Sequence, residues 1–521
     1  MYDYAIVGAG SAGAVLASRL TEDPAVRVLL LEAGGTAKGQ EVAIPAAFAK
    51  LFKTDRDWDY TTEPEPALGG RELYWPRGKM LGGSSSMNAM IYIRGNRLDY
   101  DTWRDLGNPG WGYDDVLPYF RRSEDNDRLT DRFHGTGGPL AVSDARTLNE
   151  LSEAFVEAAQ KVGLPANGDF NGAEQDGVGF YQLTQRRGKR ASTAVAYLAA
   201  AAKRPNLHVV TNAQVTLVQM TGTRATGVQA LVGGFMASYR AGEVILAGGA
   251  INSPQLLLLS GVGPAAQLRA AGIKVIAESP GVGENLQDHP AVPLAFMTDK
   301  AAGLAGAESV RNLANYLVNR RGPLTSNVAE AGGFFRSEPG LPAPDLQYHF
   351  APVLFLDHGL VPPPGEGYTF APTLVAPESR GTVRLRSADQ LAKPLITANY
   401  LSAEADMAAM VAGVRHALEV GDSEPLASYR SGSFFPPIDA DDDETVRAYI
   451  RQRVETLYHP AGTAAMGPAD GKSVVDSQLR VHGVQGLRVV DASVMPTVVR
   501  GNTNAPVIMI AEKAADLIKT G

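Results

Sequence analysis

The sequence predicts an α/β fold, α+β overall. One parallel-sheet domain is assembled from separated stretches, and a second domain built on an antiparallel sheet is inserted into it. Three observations predict this. Residues 4–32 read as strand, glycine turn, helix and strand, and similar patterning returns at 243–261 and at 487–518. Between these, residues 290–450 change character, becoming rich in proline with Tyr and Phe scattered among short apolar runs.

Residues 4–7 are a short apolar run ending on a β-branched residue, as in a buried parallel strand. Gly8, Gly10 and Gly13 follow in the spacing G-x-G-x-x-G. Apolar residues at helical spacing over 14–20 come next, then a second apolar run, 28–31, that ends at Glu32. This is the order of a Rossmann-like dinucleotide-binding unit. Gly8 permits the tight turn, Gly10 lets backbone approach a pyrophosphate, and Gly13 lets helix and strand pack closely. The free N–H groups at the helix start suit a diphosphate. Glu32, nineteen residues after Gly13, stands where such units place the acid that binds ribose hydroxyls. The motif alone leaves NAD and FAD both open.

Residues 40–75, with Pro45, Pro64 and Pro66, read as loops and short helices. Residues 77–88 read as a Gly/Ser turn entering a helix, with small residues where backbone can come close to something flat or charged. A helix is expected at 151–162, a loop at 167–172 and an Ala-rich helix at 192–202. Strands are expected at 207–210 and 215–218, and a hairpin over 224–246. A glycine turn and a helix with Pro254 near its start follow. In the inserted region, strands are expected at 345–350, 368–375 and 381–385 and a helix at 407–419, with 362–365 as a loop that could serve as a lid or surface contact. A strand at 487–491 and a helix at 506–518 close the chain, the helix being expected to complete the sheet begun at Tyr4. The nucleotide domain is thus assigned 1–150, 206–290 and 456–521, and the substrate domain 151–205 and 291–455.

A chain of 521 residues exceeds one ordinary core. With 45% hydrophobic and 20% charged residues it has the composition of a soluble globular protein. The net charge of −8, without any basic run, argues against nucleic acid as a partner. Cysteine is absent, which excludes disulfides, thiolate catalysis and thiolate metal sites. The histidines show no metal-ligand spacing, so no metal is expected. No signal peptide precedes the first strand and no apolar run approaches the ~20 residues of a membrane span. The chain reads as cytoplasmic, with peripheral attachment at the inner membrane left open.

Four blocks in order carry a resemblance to a known family: Gly8 to Gly13 with Glu32; residues 77–88; residues 248–261; and residues 458–467 followed by Asp491, Ala492, Ser493 and residues 501–506. Over essentially its whole length the chain resembles the glucose–methanol–choline oxidoreductases. Within them it looks most like bacterial alcohol dehydrogenases acting on aliphatic alcohols and polyethylene glycol, on the evidence of 167–172, 176–182 and 324–330, and like choline dehydrogenases. The resemblance implies FAD as cofactor. It implies contacts to it from Gly8, Gly10, Ser11, Ala12, Gly13, Glu32 and Ala33 at the N-terminus, and from Leu81, Gly82, Ser85, Asn88, Ala89 and Met90 in the second block. Val215, by its backbone at the adenine, and Asp491, Ala492, Asn502 and Thr503 complete the implied set. Met87 stands where some choline-oxidising members carry a histidine bonded to FAD, so the cofactor is expected to be non-covalent.

Alcohol oxidation removes a proton from oxygen and a hydride from carbon, and histidine suits the first task because its ordinary pKa lies near neutrality. His459 matches the family's base, with hydride passing to flavin N5. The family pairs that histidine with a residue 43–45 positions later, where Asn502 and Asn504 compete. Asn502 is preferred as a hydrogen-bond donor to the developing alkoxide, and Asn504 is expected to cap the C-terminal helix. His289 is read as structural. The implied activity is oxidation of primary alcohols to aldehydes, with electrons passed to a quinone or another acceptor. An alcohol oxidase that reduces O2 to hydrogen peroxide is the alternative, and a flavin-containing lyase a third reading.

Overall fold

The computed structural model describes residues 1–435 and 437–520. Its first sheet is parallel at the centre. Leu207–Val210, Val28–Leu31, Tyr2–Val7 and Phe235–Leu246 lie side by side, and Leu487–Val489 pairs parallel with the last of these. Val28–Leu31 is buried along its whole length, as expected for a strand covered on both faces. The twelve-residue strand Phe235–Leu246 has two partners in succession. Residues 235–240 pair antiparallel with Arg224–Val232, and residues 241–246 continue beside Tyr2–Val7. One strand thereby joins the parallel sheet to a meander that includes Ala213–Thr221.

Register matters most for the site. Val210, Leu31, Val7, Leu246 and Val489 are consecutive partners across the sheet. The carboxyl ends of five strands therefore stop on one line, where an open α/β sheet leaves a crevice. Helices Ser11–Leu20 and Asn504–Thr520 pack together on this sheet. Glu512 is fully buried between them, and its carboxylate accepts from Arg19 at 2.8 and 2.9 Å, Arg122 at 2.9 Å and Tyr197 OH at 2.8 Å. The C-terminal helix does not complete the sheet; the strand Leu487–Val489 does, and the helix covers a face.

The second sheet is antiparallel, in the order Gly432–Ser433, Leu294–Met297, Gly367–Leu374, Leu346–Ala351, Ala331–Phe335, Gly177–Phe180. Pro290–Ala291 joins it beside Gly367–Leu374 and pairs with Glu455–Thr456. Its strands alternate with the period of two that pleating imposes. Tyr348, Phe350, Tyr368 and Phe370 pack with Phe155 and with Met407, Met410 and Val414 of the helix Glu404–Asp422. His349, Ala351, Thr369 and Ala371 point the other way, into a cavity between the two sheets.

Three further expectations need correction. Residues 77–88 form one 3-10 turn, Gly83–Ser86, followed by extended chain rather than a helix. Residues 192–202 open on a π-helical turn, Ala194–Leu198, before three α-helical residues. Pro254 sits in the middle of the helix Gly249–Leu259, not near its start. An interior proline removes one intrahelical bond and frees the carbonyl four residues earlier. Thr463 Oγ1 donates to that carbonyl, Ala250 O, at 2.6 Å.

A buried charged network anchors the chain where it leaves the cavity. Arg94 Nη2 donates to Glu124 Oε2 at 2.6 Å, and His134 bridges Glu124 and Asp169 at 3.1 Å each. Burial alone would lower the His134 pKa, but the hydrogen bonds to Asp169 and Glu124 outweigh it and raise it to about 9. Burial opposes ionisation of Glu124 and Asp169, yet the His134 hydrogen bond leads the interactions that hold both below the ordinary carboxylate value. The stability contributed by protonated His134 is fully present below its unfolded value near 6.5 and is lost as pH rises through about 9. His134→Gln should therefore flatten the fall in urea-unfolding free energy between about pH 7 and 10 relative to wild type; an equally steep fall contradicts this assignment.

Candidate active site

The crevice at the strand ends widens into a cavity of about 350 Å3 that reaches the second sheet. Gly8, Gly10, Ser11 and Ala12 line one end. Gly8 has φ +97°, and a Cβ there would fall 2.5 Å from Ala247 O. A Cβ on Gly13 would fall 1.9 Å from Gly8 O, so Gly13 sets the approach of helix to strand and does not face the cavity. No side chain caps the helix Ser11–Leu20, and its first turn carries no acid. The open N–H groups there form a ready anion site. Ala9 N–H donates to Glu32 Oε2 and Gly34 N–H to Oε1, each at 2.9 Å, and burial raises the Glu32 pKa to about 7. Ala33 and Val215 line the wall beside Glu32. Uncapped N–H groups, close-packed glycines and a carboxylate at the far strand end fit a dinucleotide.

The second block contributes Asn88, Ala89 and Met90 to the wall, whereas Leu81, Gly82 and Ser85 stand behind it. Leu81 N–H donates to Gly35 O and Gly82 N–H to Ala9 O, and Ser85 Oγ meets Thr193 Oγ1. These residues brace the turn and do not reach the cavity. Arg190, buried and unread in the sequence, donates Nη1 to Asn88 O at 2.6 Å and to Asn88 Oδ1 at 2.8 Å, and so fixes that side chain. Asp491 and Ala492 line the cavity, but the Asp491 carboxylate is occupied within the protein. It accepts from Gly249 N–H at 2.8 Å, Ser253 Oγ at 2.6 Å and both Ser493 N–H and Oγ. Thr503 also lines the wall.

At the far end stands His459. Its N–H donates to Asp288 Oδ1 at 2.7 Å. Its ring lies between Asn502, Nδ2 to Nε2 3.3 Å, and His289, Nδ1 to Nδ1 3.0 Å. Gln347 Nε2 donates to Asn502 Oδ1 at 3.3 Å, which turns the Asn502 amide N–H towards His459. Accepting at Nε2 places the His459 proton on Nδ1, where it is donated to His289. The His459 pKa lies well below the ordinary value, through burial first and then the neighbouring His289, His349 and Arg77. His289 is outside the cavity and backs the His459 ring; burial lowers its own pKa to about 3.

Asn504 does not cap the C-terminal helix. It is the first residue of Asn504–Thr520, and its Oδ1 accepts from Ser11 Oγ at 2.8 Å, tying the two ends of the chain together. Of the segments 167–172, 176–182 and 324–330, only the last reaches the cavity, through Val328 and Ala329. Asn171 instead brackets the backbone of Tyr92 and Arg94. Three non-glycine residues on the wall have positive φ: Met90 at +58°, Val328 at +72° and Tyr458 at +69°. Such strain persists only where the surroundings over-determine it. At Tyr458 they do: its N–H donates to Thr456 Oγ1, its carbonyl accepts from Arg77, and its hydroxyl meets His358 Nδ1.

Sequence reasoning missed Gln347 and His349. His349 lines the cavity with Nε2 lacking a protein partner, and burial lowers its pKa to about 3. The alternation of inward and outward residues in Leu346–Ala351 is the signal that could have found both.

The GMC oxidoreductase family model matches residues 2–291 and 377–511. An alcohol dehydrogenase [acceptor] of Pseudomonas putida is 46% identical, over 99% of this chain and 96% of that protein. Mitochondrial choline dehydrogenase of Homo sapiens is 45% identical, over 99% of this chain and 90% of its own. A solved structure of an Aspergillus oryzae formate oxidase variant, studied for modification of its FAD, superposes with a TM-score of 0.93 at 30% identity, covering 100% of this chain and 98% of that one.

Thr463 fixes the segment after His459 to the proline-bearing helix. Thr463→Val keeps the shape and leaves the Ala250 carbonyl unpaired, which should cost about 1–3 kcal/mol in urea unfolding; unchanged stability contradicts the role assigned to this bond.

Proposed function

The chain belongs to the GMC oxidoreductase family, and from that premise we propose that it is an FAD-dependent alcohol dehydrogenase. It oxidises primary alcohols to aldehydes and passes electrons to a quinone or another acceptor. The observation that carries this reading is the pair His459 Nε2 and Asn502 Nδ2, 3.3 Å apart at one end of a cavity whose other end is the glycine turn and Glu32. The P. putida alcohol dehydrogenase [acceptor] supports the choice of acceptor over oxygen.

The residues of the cradle would hold FAD with the diphosphate at the N–H groups of Ser11–Leu20 and the adenosine side at Glu32 and Val215. Met87 lines the cavity and has no imidazole to bond to the cofactor, which supports non-covalent binding. Bound FAD supplies the acceptor for the hydride that leaves the alcohol carbon. The chain's own residues manage the proton. His459 Nε2 takes it from the hydroxyl while the Nδ1–H stays donated to His289, so the ring keeps one orientation through the step. Asn502 Nδ2 donates to the oxygen as negative charge gathers on it, and Gln347 holds that amide in the donating direction. The buried ring, with its pKa held down, is neutral and competent as a base at pH 7. Phe48, Phe52 and Phe355 give the cavity an apolar wall suited to the carbon chain of an alcohol.

Anaerobic flavin reduction by a panel of aliphatic, aromatic and glycol alcohols tests the reading. Bleaching by a primary alcohol, with turnover requiring an artificial acceptor, is expected. Peroxide formed in air at the rate of alcohol consumption would move the protein to the oxidases, and no bleaching by any alcohol contradicts the reading. Asn502→Ala should slow flavin reduction by about 10²–10³ while flavin content stays at wild-type level. Because the His459 pKa is lowered, kcat/KM should hold its value below pH 6.5 rather than titrating with the ordinary histidine value; a fall centred near 6.5 contradicts the burial assigned to this base.

A further inference from the structure

The helix Val310–Asn319 has its apolar side facing outward. Only Tyr316 is buried, against Ile44, Ala307 and Leu324. Its asparagines bond within the helix and to its flanks: Asn312 Nδ2 donates to Gly306 O at 3.2 Å, Asn315 Nδ2 to Arg321 O at 3.1 Å, and Asn319 Nδ2 to Asn315 Oδ1 at 2.9 Å. At the helical period, Leu313, Leu317, Val310, Ala314 and Val318 occupy one arc of about 140°. That arc faces solvent, with Val310 exposed to 85%, Val318 to 80%, Leu317 to 49% and Leu313 to 37%. A surface helix that served only its own core would bury this stripe.

The charge around the stripe is equally one-sided. Arg311 lies at its edge and Arg320 and Arg321 at its end, and no acidic residue occurs between Glu308 and Glu330 in a chain of net charge −8. Glu308 itself is paired with Lys50 at 2.5 Å. Among the described residues none of the three arginines enters an ion pair; Arg320 lies over the Tyr316 ring at 4.7 Å. The helix also stands next to the cavity. Its core cluster includes Ala46 and Ala47 of the 3-10 turn Pro45–Leu51, and Phe48 of the same turn lines the cavity.

We propose that this face docks on a bilayer rich in anionic lipid. The four large apolar side chains enter the interface, and Arg311, Arg320 and Arg321 meet the phosphates of the headgroups. Charge decides the occupant. A second copy packed face to face through a two-fold axis would set these arginines against their own copies, whereas an anionic surface complements them. Docked in this way, the protein holds the turn Pro45–Leu51, whose Phe48 lines the cavity, beside the lipid. The docking surface stands apart from the catalytic reading and does not depend on it.

Co-sedimentation of the FAD-loaded protein with phosphatidylglycerol/phosphatidylethanolamine vesicles and with phosphatidylcholine vesicles tests this. Wild type should bind the anionic vesicles, and raised salt should weaken that binding. The double variant Leu317→Glu/Val318→Glu should bind at least about tenfold more weakly, with the same thermal midpoint and flavin content. Phe235→Glu, at an 80% exposed position in the distant hairpin, should bind as wild type does. The proposal is overturned if wild type binds phosphatidylglycerol vesicles no better than phosphatidylcholine, or if the double variant binds as wild type does. It is also overturned if the double substitution splits a dimer in a protein that binds no vesicle.

Discussion

Asp288 accepts from His459 N–H at 2.7 Å, from Thr456 Oγ1 at 2.5 Å and from Tyr400 OH, and so ties its own stretch to two others far away in sequence, at Tyr400 and at Thr456–His459. Burial raises its pKa, and these donors with nearby Arg77 oppose the rise. An ion in such a place is tolerated only when its lone pairs are used. That requirement fixes the peptide of His459, and with it the direction of the ring. His289 then fixes the ring's Nδ1, leaving Nε2 to the cavity and Asn502. The geometry of the reacting end thus follows from how one buried carboxylate is satisfied.

The other end follows from register. Five parallel strands stop level, so the residues just beyond them converge: Gly8 after Val7, Glu32 after Leu31, Gly248 after Leu246 and Asp491 after Val489. Asp491 binds the backbone of Gly249 and closes this row. The inserted domain supplies a wall through the pleat of its sheet. Tyr348, Phe350, Tyr368 and Phe370 belong to an aromatic core, and His349, Ala351, Thr369 and Ala371 between and beside them face the cavity. The two sheets therefore face one another across the cavity.

The parts legible in the sequence were those whose chemistry is local. Gly8, Gly10, Glu32 and the strands around them declare themselves by spacing, because a βα turn is a contact between near neighbours. His459 and Asn502 were legible only through resemblance, and the structure brings their side chains together. Leu81, Gly82, Ser85 and Gly13 look the same in sequence as residues that face a ligand; which layer of the wall they occupy depends on tertiary packing. Gln347 and His349 show only in the alternation of Leu346–Ala351; His289 and Arg190 act through partners up to 170 residues away, and no local pattern announces them. Pro254 was misplaced for the same reason, since the hydroxyl that satisfies its helix lies on Thr463.

The most direct test of the account is the anaerobic reduction of bound flavin by a primary alcohol in His459→Ala, with and without added imidazole. The account predicts a rate about 10²–10⁴ below wild type, recovered in part by imidazole in proportion to its neutral form. A variant that keeps its flavin and reduces it at the wild-type rate would contradict His459 as the base.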